Sequence, residues 1–134
     1  MYYIDSDWLK CKHQNGTKLK GVACDCTSLI VGILADNGIS IDVDYNYNAF
    51  WYTRKGCTEL MLPYMEKYFD KVDTPIPGDC ITYQFGRAKY SHISMYIGDG
   101  KIIHCNADFG VEVIHREELK NRESGFWRVK DGNL

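Results

Sequence analysis

An α+β fold, with N-terminal helices packed on a central antiparallel β-sheet, is what the order of hydrophobic patterns in this chain predicts. Three observations carry it. Apolar residues recur at helical spacing in the first half, short runs rich in Ile, Val and Tyr fill the second half, and tight-turn residues separate those runs. Strand and helix do not alternate as they would in a doubly wound nucleotide-binding sheet.

Taken in order, the first 25 residues mix polar and aromatic types, with a turn at Asn15-Gly16. Leu29, Ile30, Ile33 and Leu34 then follow helical spacing, with Asp25 as N-cap and Asn37-Gly38 as stop signal, so a buried helix carries Cys26 in its first turn. Residues 39–55 hold Tyr45, Tyr47, Phe50, Trp51 and Tyr52 without a clear period and read as loop with some extended structure. Thr58 is placed to cap a second helix running to about Lys71, with Leu60, Met61, Tyr64, Met65, Tyr68 and Phe69 on its apolar side. A long turn over 73–79 follows. Strands are expected at Cys80 to Phe85, His92 to Ile97, Lys101 to Cys105 and Gly110 to Ile114, a short helix at Arg116 to Arg122, and a last strand at Phe126 to Val129. Gly98-Asp99-Gly100 marks a hairpin between the second and third of these strands.

Length and composition narrow the function. At 134 residues and 45% hydrophobic content, residues 1–134 are expected to form one domain with a core of its own. A chain this size hides roughly two-thirds of its unfolded surface, so it needs no staples. With 16 Lys and Arg against 18 Asp and Glu, and no basic stripe, a nucleic-acid partner is not expected. Nor is a membrane span, because the longest apolar run, Leu29 to Ala35, is too short and is broken by Gly32. Acids within the first seven residues do not fit a signal peptide, which gives synthesis in the cytoplasm as the expectation.

Six cysteines, at 11, 24, 26, 57, 80 and 105, form the unusual part of the composition. Without an export signal they read as reduced thiols, most of them filling core space. Cys26 differs, because the first turn of a helix presents free N–H groups and the positive end of the macrodipole to its sulfur. Activation also needs a base and a group to orient that base, and His92 and His104 lie on the two strands of the expected hairpin. With the turn at Asp99-Gly100, however, Gly98 opposes Lys101 and Tyr96 opposes Ile103, and His92 misses His104. A longer turn, a bulge or a diagonal contact is therefore required. A zinc site from Cys24, Cys26, His92, His104 and Cys105 is the competing reading, disfavoured because no Cys-x-x-Cys or His-x-x-x-His pair occurs. Neither a metal nor another cofactor is expected.

Three segments in order are similar to one family. Gly21-Val22-Ala23-Cys24-Asp25-Cys26-Thr27-Ser28-Leu29-Ile30 resembles the nucleophile segment of the NlpC-type (p-sixty) cell-wall cysteine peptidases, Pro77-Gly78-Asp79 resembles their Pro-Gly-Asp strand start, and Ser91 to His104 resembles their histidine hairpin. The resemblance implies a papain-like fold, with Cys26 as nucleophile, His92 as base and His104 as the group that orients His92. Cys11-Lys12-His13-Gln14 is similar to the Tyr-Arg-His-Gln segment of the phage-tail and prophage branch, with Cys11 near the place of the tyrosine thought to assist the oxyanion. Gln14 or His13, with the Cys26 N–H, are its expected replacements, and Asp25 is a further candidate in the substrate site.

What the resemblance implies is hydrolysis of a peptide bond in the stem peptide of bacterial peptidoglycan through a thioacyl enzyme. It further implies phage-tail proteins as possible partners and a virion-carried or wall-released enzyme. The aromatics at 45, 47, 50, 51 and 52 are candidates to line the substrate groove. Acyl transfer or hydrolysis on a lipid or small amide, and an inactive wall-peptide-binding tail module, are the alternatives. The activated-nucleophile reading places the Cys26 pKa at about 3.5 to 7.5.

Overall fold

The computed structural model describes residues 2–44 and 47–131. A 3-10 turn, Ser6–Lys10, leads into three two-residue strands, β1 (Lys12–His13), β2 (Lys18–Leu19) and β3 (Ala23–Cys24), in the order β1-β3-β2. Helix α1 (Cys26–Asp36) and helix α2 (Leu62–Tyr68) follow, and then β4 (Phe69–Val72), β5 (Cys80–Phe85), β6 (Ala88–Gly98), β7 (Lys101–Asn106), β8 (Gly110–His115) and β9 (Glu123–Val129). These six strands form one antiparallel sheet in the order β4-β9-β5-β6-β7-β8. The α+β expectation and the helices-first layout are what the chain adopts.

Helix α1 starts where the sequence says it should. Asp25 Oδ1 accepts from Ser28 N at 2.8 Å and Ser28 Oγ accepts from Asp25 N at 2.8 Å, a reciprocal capping box. Residues 28–34 are buried, and α1 lies on β6 and β7 with Leu29, Ile30, Ile33 and Leu34 against Ile93, Met95, Ile103 and Cys105. Trp8 packs on its outer side, and Gly32 is the reason it fits: a Cβ at that position would stand 2.2 Å from the indole. The Trp8 Nε1 donates to Asp36 Oδ2 at 2.9 Å, which pins the ring.

The second helix departs from its expected limits. It begins at Leu62, with Pro63 in its first turn, and Thr58 does not cap it. It ends at Tyr68, because Phe69–Val72 leaves the helix and pairs with β9, Phe69 opposite Val129 and Val72 opposite Phe126. Tyr64, Met65, Tyr68 and Phe69 suit a helical stripe, yet a ladder of backbone hydrogen bonds and a buried Phe69 favour the strand. Strand β6 also begins earlier than expected, at Ala88, where it folds back on Phe85.

The β6–β7 hairpin resolves the question of register. Asp99 and Gly100 both have positive φ, 54° and 71°, the two-residue turn that matches strand twist. Gly98 opposes Lys101, but Tyr96 opposes Ile102 and Met95 opposes Ile103, so Ile97 is an extra residue, a β-bulge. At the start of β5, Asp79 is buried and receives Arg128 in a two-pronged ion pair at 2.8 and 3.0 Å, fastening β5 to β9.

Gly32→Ala would stabilise an isolated helix by about 1 kcal/mol. Here the pinned indole reverses the sign: we expect a net loss of about 1–3 kcal/mol in urea unfolding, as overpacked cores show.

Candidate active site

Cys26 is the first residue of α1 and is partly buried. Its sulfur lies 3.8 Å from Thr27 Oγ1. Burial and the neighbouring Asp25 carboxylate push its pKa up to about 12, against the opposing pull of the Thr27 hydroxyl and the backbone N–H groups of Ile93 and Thr27. The helix start therefore does not produce the depressed thiol pKa that the sequence suggests. The Ser28 N–H of that first turn is turned onto the Asp25 carboxylate, and the carboxylate's own charge opposes a thiolate.

His92 and His104 are brought together. His92 Nε2 is 2.9 Å from His104 Nδ1, with the rings nearly perpendicular at 85°. The bulge at Ile97 puts Tyr96 opposite Ile102, and by strand alternation His92 and His104 then share a face. Phe85 packs edge-on against His92 at 5.3 Å, and Tyr83 lies tilted against it at 5.7 Å. Burial, and then the nearby His104 and His13, lower the His92 pKa to about 3. Burial thus works against the charged form of both the thiol and the imidazole.

A fourth residue, absent from the sequence reading, completes the row. Glu112 stands directly opposite His104 across β7 and β8, and its Oε2 is 2.8 Å from His104 Nε2. The signal was available: His104 and Glu112 are symmetric about the turn at 107–109 that precedes Gly110.

Cys26, His92 and His104 line a single cleft of about 250 Å³ together with His13 and Asp25. Among the described residues there is no direct Cys26–His92 hydrogen bond, a contact that commonly tightens only when substrate fills a site. Tyr47, Trp51 and Tyr52 line the same cleft; Phe50 is 66% exposed and does not, and Tyr45 falls outside the described residues. Gln14 is exposed and away from the cleft lining, and its backbone N–H donates to Cys24 O at 2.9 Å. Cys11 is buried, its sulfur accepting from Gly21 N at 3.2 Å, so it contributes nothing to the cleft. Asp25 is buried and accepts from Ser28 N, Gly16 N and the Tyr47 hydroxyl, at 2.8, 2.8 and 2.5 Å. Among the described residues no three His, Cys, Asp or Glu side chains converge as a metal site requires, and no helix is long and apolar enough to cross a membrane.

The NlpC/P60 family model matches residues 12–128. No curated protein sequence matches. Among solved structures, NlpC1 from Trichomonas vaginalis superposes with a TM-score of 0.63 at 18% identity, over 88% of this chain and 40% of that one. An NlpC/P60 family protein from Bacillus cereus gives 0.54 at 25%, over 81% and 33%. The NlpC/p60 domain of the peptidoglycan hydrolase SagA gives 0.56 at 17%, over 90% and 87%. The chain thus spans two fifths or less of the first two structures and most of the third. These neighbours share the papain-like α+β fold.

Two measurements check the electrostatics. Iodoacetamide alkylation of Cys26 should climb about tenfold per pH unit between pH 6 and 9.5, as for any thiol titrating above that window; a plateau below pH 8 would reveal a resting ion pair instead. For His92 the folded pKa lies below the unfolded value of 6.5, so the unfolded chain binds the extra proton between pH 6.5 and 3. Stability is fully present above pH 6.5 and falls toward pH 3, by up to about 1.4 kcal/mol per pH unit for one proton. His92→Gln should flatten that slope in urea titrations.

Proposed function

The chain belongs to the NlpC/P60 family, whose members are generally cell-wall peptidases and hydrolases, and from that premise we propose that it is a cysteine endopeptidase of the peptidoglycan stem peptide. The reading takes residues 1–134 as one peptidase domain, Cys26 as nucleophile, His92 as base and His104 as its orienting group. The observation that supports it is the 2.9 Å contact between His92 Nε2 and His104 Nδ1 in the cleft that Cys26 also lines.

In this mechanism His92 Nδ1, the ring nitrogen not facing His104, takes the thiol proton as the sulfur attacks the peptide carbonyl. Because both groups start neutral, proton transfer and C–S bond formation go together. The tetrahedral oxyanion is received by the Cys26 N–H at the helix start and by His13, which lines the cleft where Gln14 does not. Collapse breaks the C–N bond, and His92 gives its proton to the leaving amine. Water, deprotonated by His92, then attacks the thioester, releasing the carboxylate product and restoring the thiol. Tyr47, Trp51 and Tyr52 form the wall against which the peptide lies.

A phage or prophage source, with tail proteins as partners and the wall as destination, extends this reading on the likeness of Cys11-Lys12-His13-Gln14 to that branch. The second reading, acyl hydrolysis or transfer on a lipid or small amide, has one observation behind it. A cavity of about 160 Å³, lined by apolar residues including Ile30, Val31, Leu34, Met61 and Met65, adjoins the cleft through Tyr47 and Trp51.

Mass spectrometry of soluble products from purified peptidoglycan decides between them. We expect new amino and carboxyl ends within the stem peptide, and a loss of at least about a thousandfold in Cys26→Ala. Undiminished release by that variant would overturn the nucleophile assignment. No release by the unaltered chain, together with turnover of a fatty-acyl thioester or amide, would favour the second reading.

A further inference from the structure

We propose that Glu112 is a positioning residue: by accepting a hydrogen bond from His104 Nε2–H it sets the tautomers of both histidines and leaves Nδ1 of His92 bare to receive the thiol proton. The inference rests on the peptidase reading for its catalytic consequence, and on geometry alone for the tautomers.

An ionised carboxylate only accepts hydrogen bonds. Glu112 Oε2, 2.8 Å from His104 Nε2, therefore requires the proton of a neutral His104 to sit on Nε2. Its Nδ1 is then an acceptor, and the 2.9 Å contact requires His92 Nε2 to be the donor. A neutral His92 with its proton on Nε2 has its lone pair on Nδ1. Without Glu112 the reverse chain is equally good by bond count: His104 donates from Nδ1, His92 accepts on Nε2, and the His92 proton moves to Nδ1, where it blocks the base. One carboxylate breaks that degeneracy.

The surroundings hold the carboxylate in place. Asn106 Nδ2 donates to the same Oε2 at 3.3 Å, and the orientation of that amide is fixed because Asn106 Oδ1 accepts from Asp108 N and Phe109 N at 2.8 and 3.4 Å. The strand beneath is fixed as well. Val111 N donates to Cys11 O at 3.0 Å, and Gly110 lies so close that a Cβ would stand 2.3 Å from the same oxygen. His104 is only 4% exposed, so water is not a ready substitute for the carboxylate. When His92 becomes an imidazolium during turnover, Glu112 also supplies a counter-charge at the end of the row without taking the proton itself.

The experiment uses the full chain labelled with 15N-histidine, in which protonated and bare ring nitrogens are separated by NMR. Above pH 7 the unaltered chain should show both His92 and His104 protonated on Nε2. In Glu112→Val, a residue suited to a strand, a population with His92 protonated on Nδ1 should appear, and kcat on peptidoglycan fragments should fall about 10²- to 10⁴-fold, the upper end being the loss known for a wrong tautomer, with KM changed less than threefold. Glu112→Gln tests the carboxylate itself: its amide N–H, turned toward the ring, drives the His104 proton to Nδ1, so the altered tautomer and a kcat loss of up to about 10⁴-fold are expected there too. Glu112→Thr, too short to reach the ring, replaces the valine variant if that one does not fold. A folded valine or threonine variant that keeps the original tautomers overturns the proposal, as does a variant whose tautomers change while kcat does not. If the unaltered chain cleaves no wall peptide, the peptidase reading falls while the NMR comparison still decides what Glu112 does.

Discussion

One inserted residue governs the site. Strand side chains alternate faces, so a perfect β6–β7 ladder closed by the Asp99-Gly100 turn would set Tyr96 against Ile103 and turn His104 away from His92. Ile97, unpaired in the ladder, shifts the register by one and puts Tyr96 against Ile102. Two features follow from that shift: the 2.9 Å contact between the imidazoles, and the way Ile103 and Cys105 face α1 while Ile102 faces Ile81 and Tyr83. A bulge disrupts the ladder locally, and here the disruption aims two side chains.

Burial disfavours the charged forms of both the Cys26 thiol and the His92 imidazole. The cleft that keeps His92 among Phe85, Tyr83 and His104 also removes the water that would stabilise an imidazolium, and the Asp25 carboxylate beside Cys26 disfavours a thiolate. Asp25 is nonetheless indispensable to the architecture, since it caps α1, takes the Gly16 N–H and anchors the Tyr47 hydroxyl. The same carboxylate that caps the helix of Cys26 opposes ionisation of the Cys26 thiol.

Much of this was legible in the sequence, and what was not has physical causes. The cap at Asp25, the stop at Asn37-Gly38, the five strands from residue 80 onward and the hairpin turn all depend on local signals that tertiary packing reinforces. Phe69–Val72 was hidden because its apolar residues fit a helical stripe, and its strand exists only by pairing with residues about sixty positions later. The two-residue strands of the N-terminal segment are too short to have a period. At the site, Cys26 and the two histidines could be named from their segments. The bulge that unites the histidines could only be inferred as necessary, and Glu112 needed the β7–β8 register. The Cys26 thiol is pushed up and not down because burial and the Asp25 carboxylate, neither of them visible in a helix-start pattern, oppose the helix dipole.

The place of β9 in the sheet has a temporal consequence. The last strand of the described chain sits between β4 and β5, so those two strands have no shared partner until residues 123–129 have been synthesised. Cys26 leaves the ribosome long before His92, and both leave before the strand that joins the halves of the sheet. Non-local closure of this kind is slow. A nascent chain that lacks residues 123–129 therefore leaves β4 without its sheet partner and one edge of β5 open, and the six-stranded sheet closes only when that strand arrives.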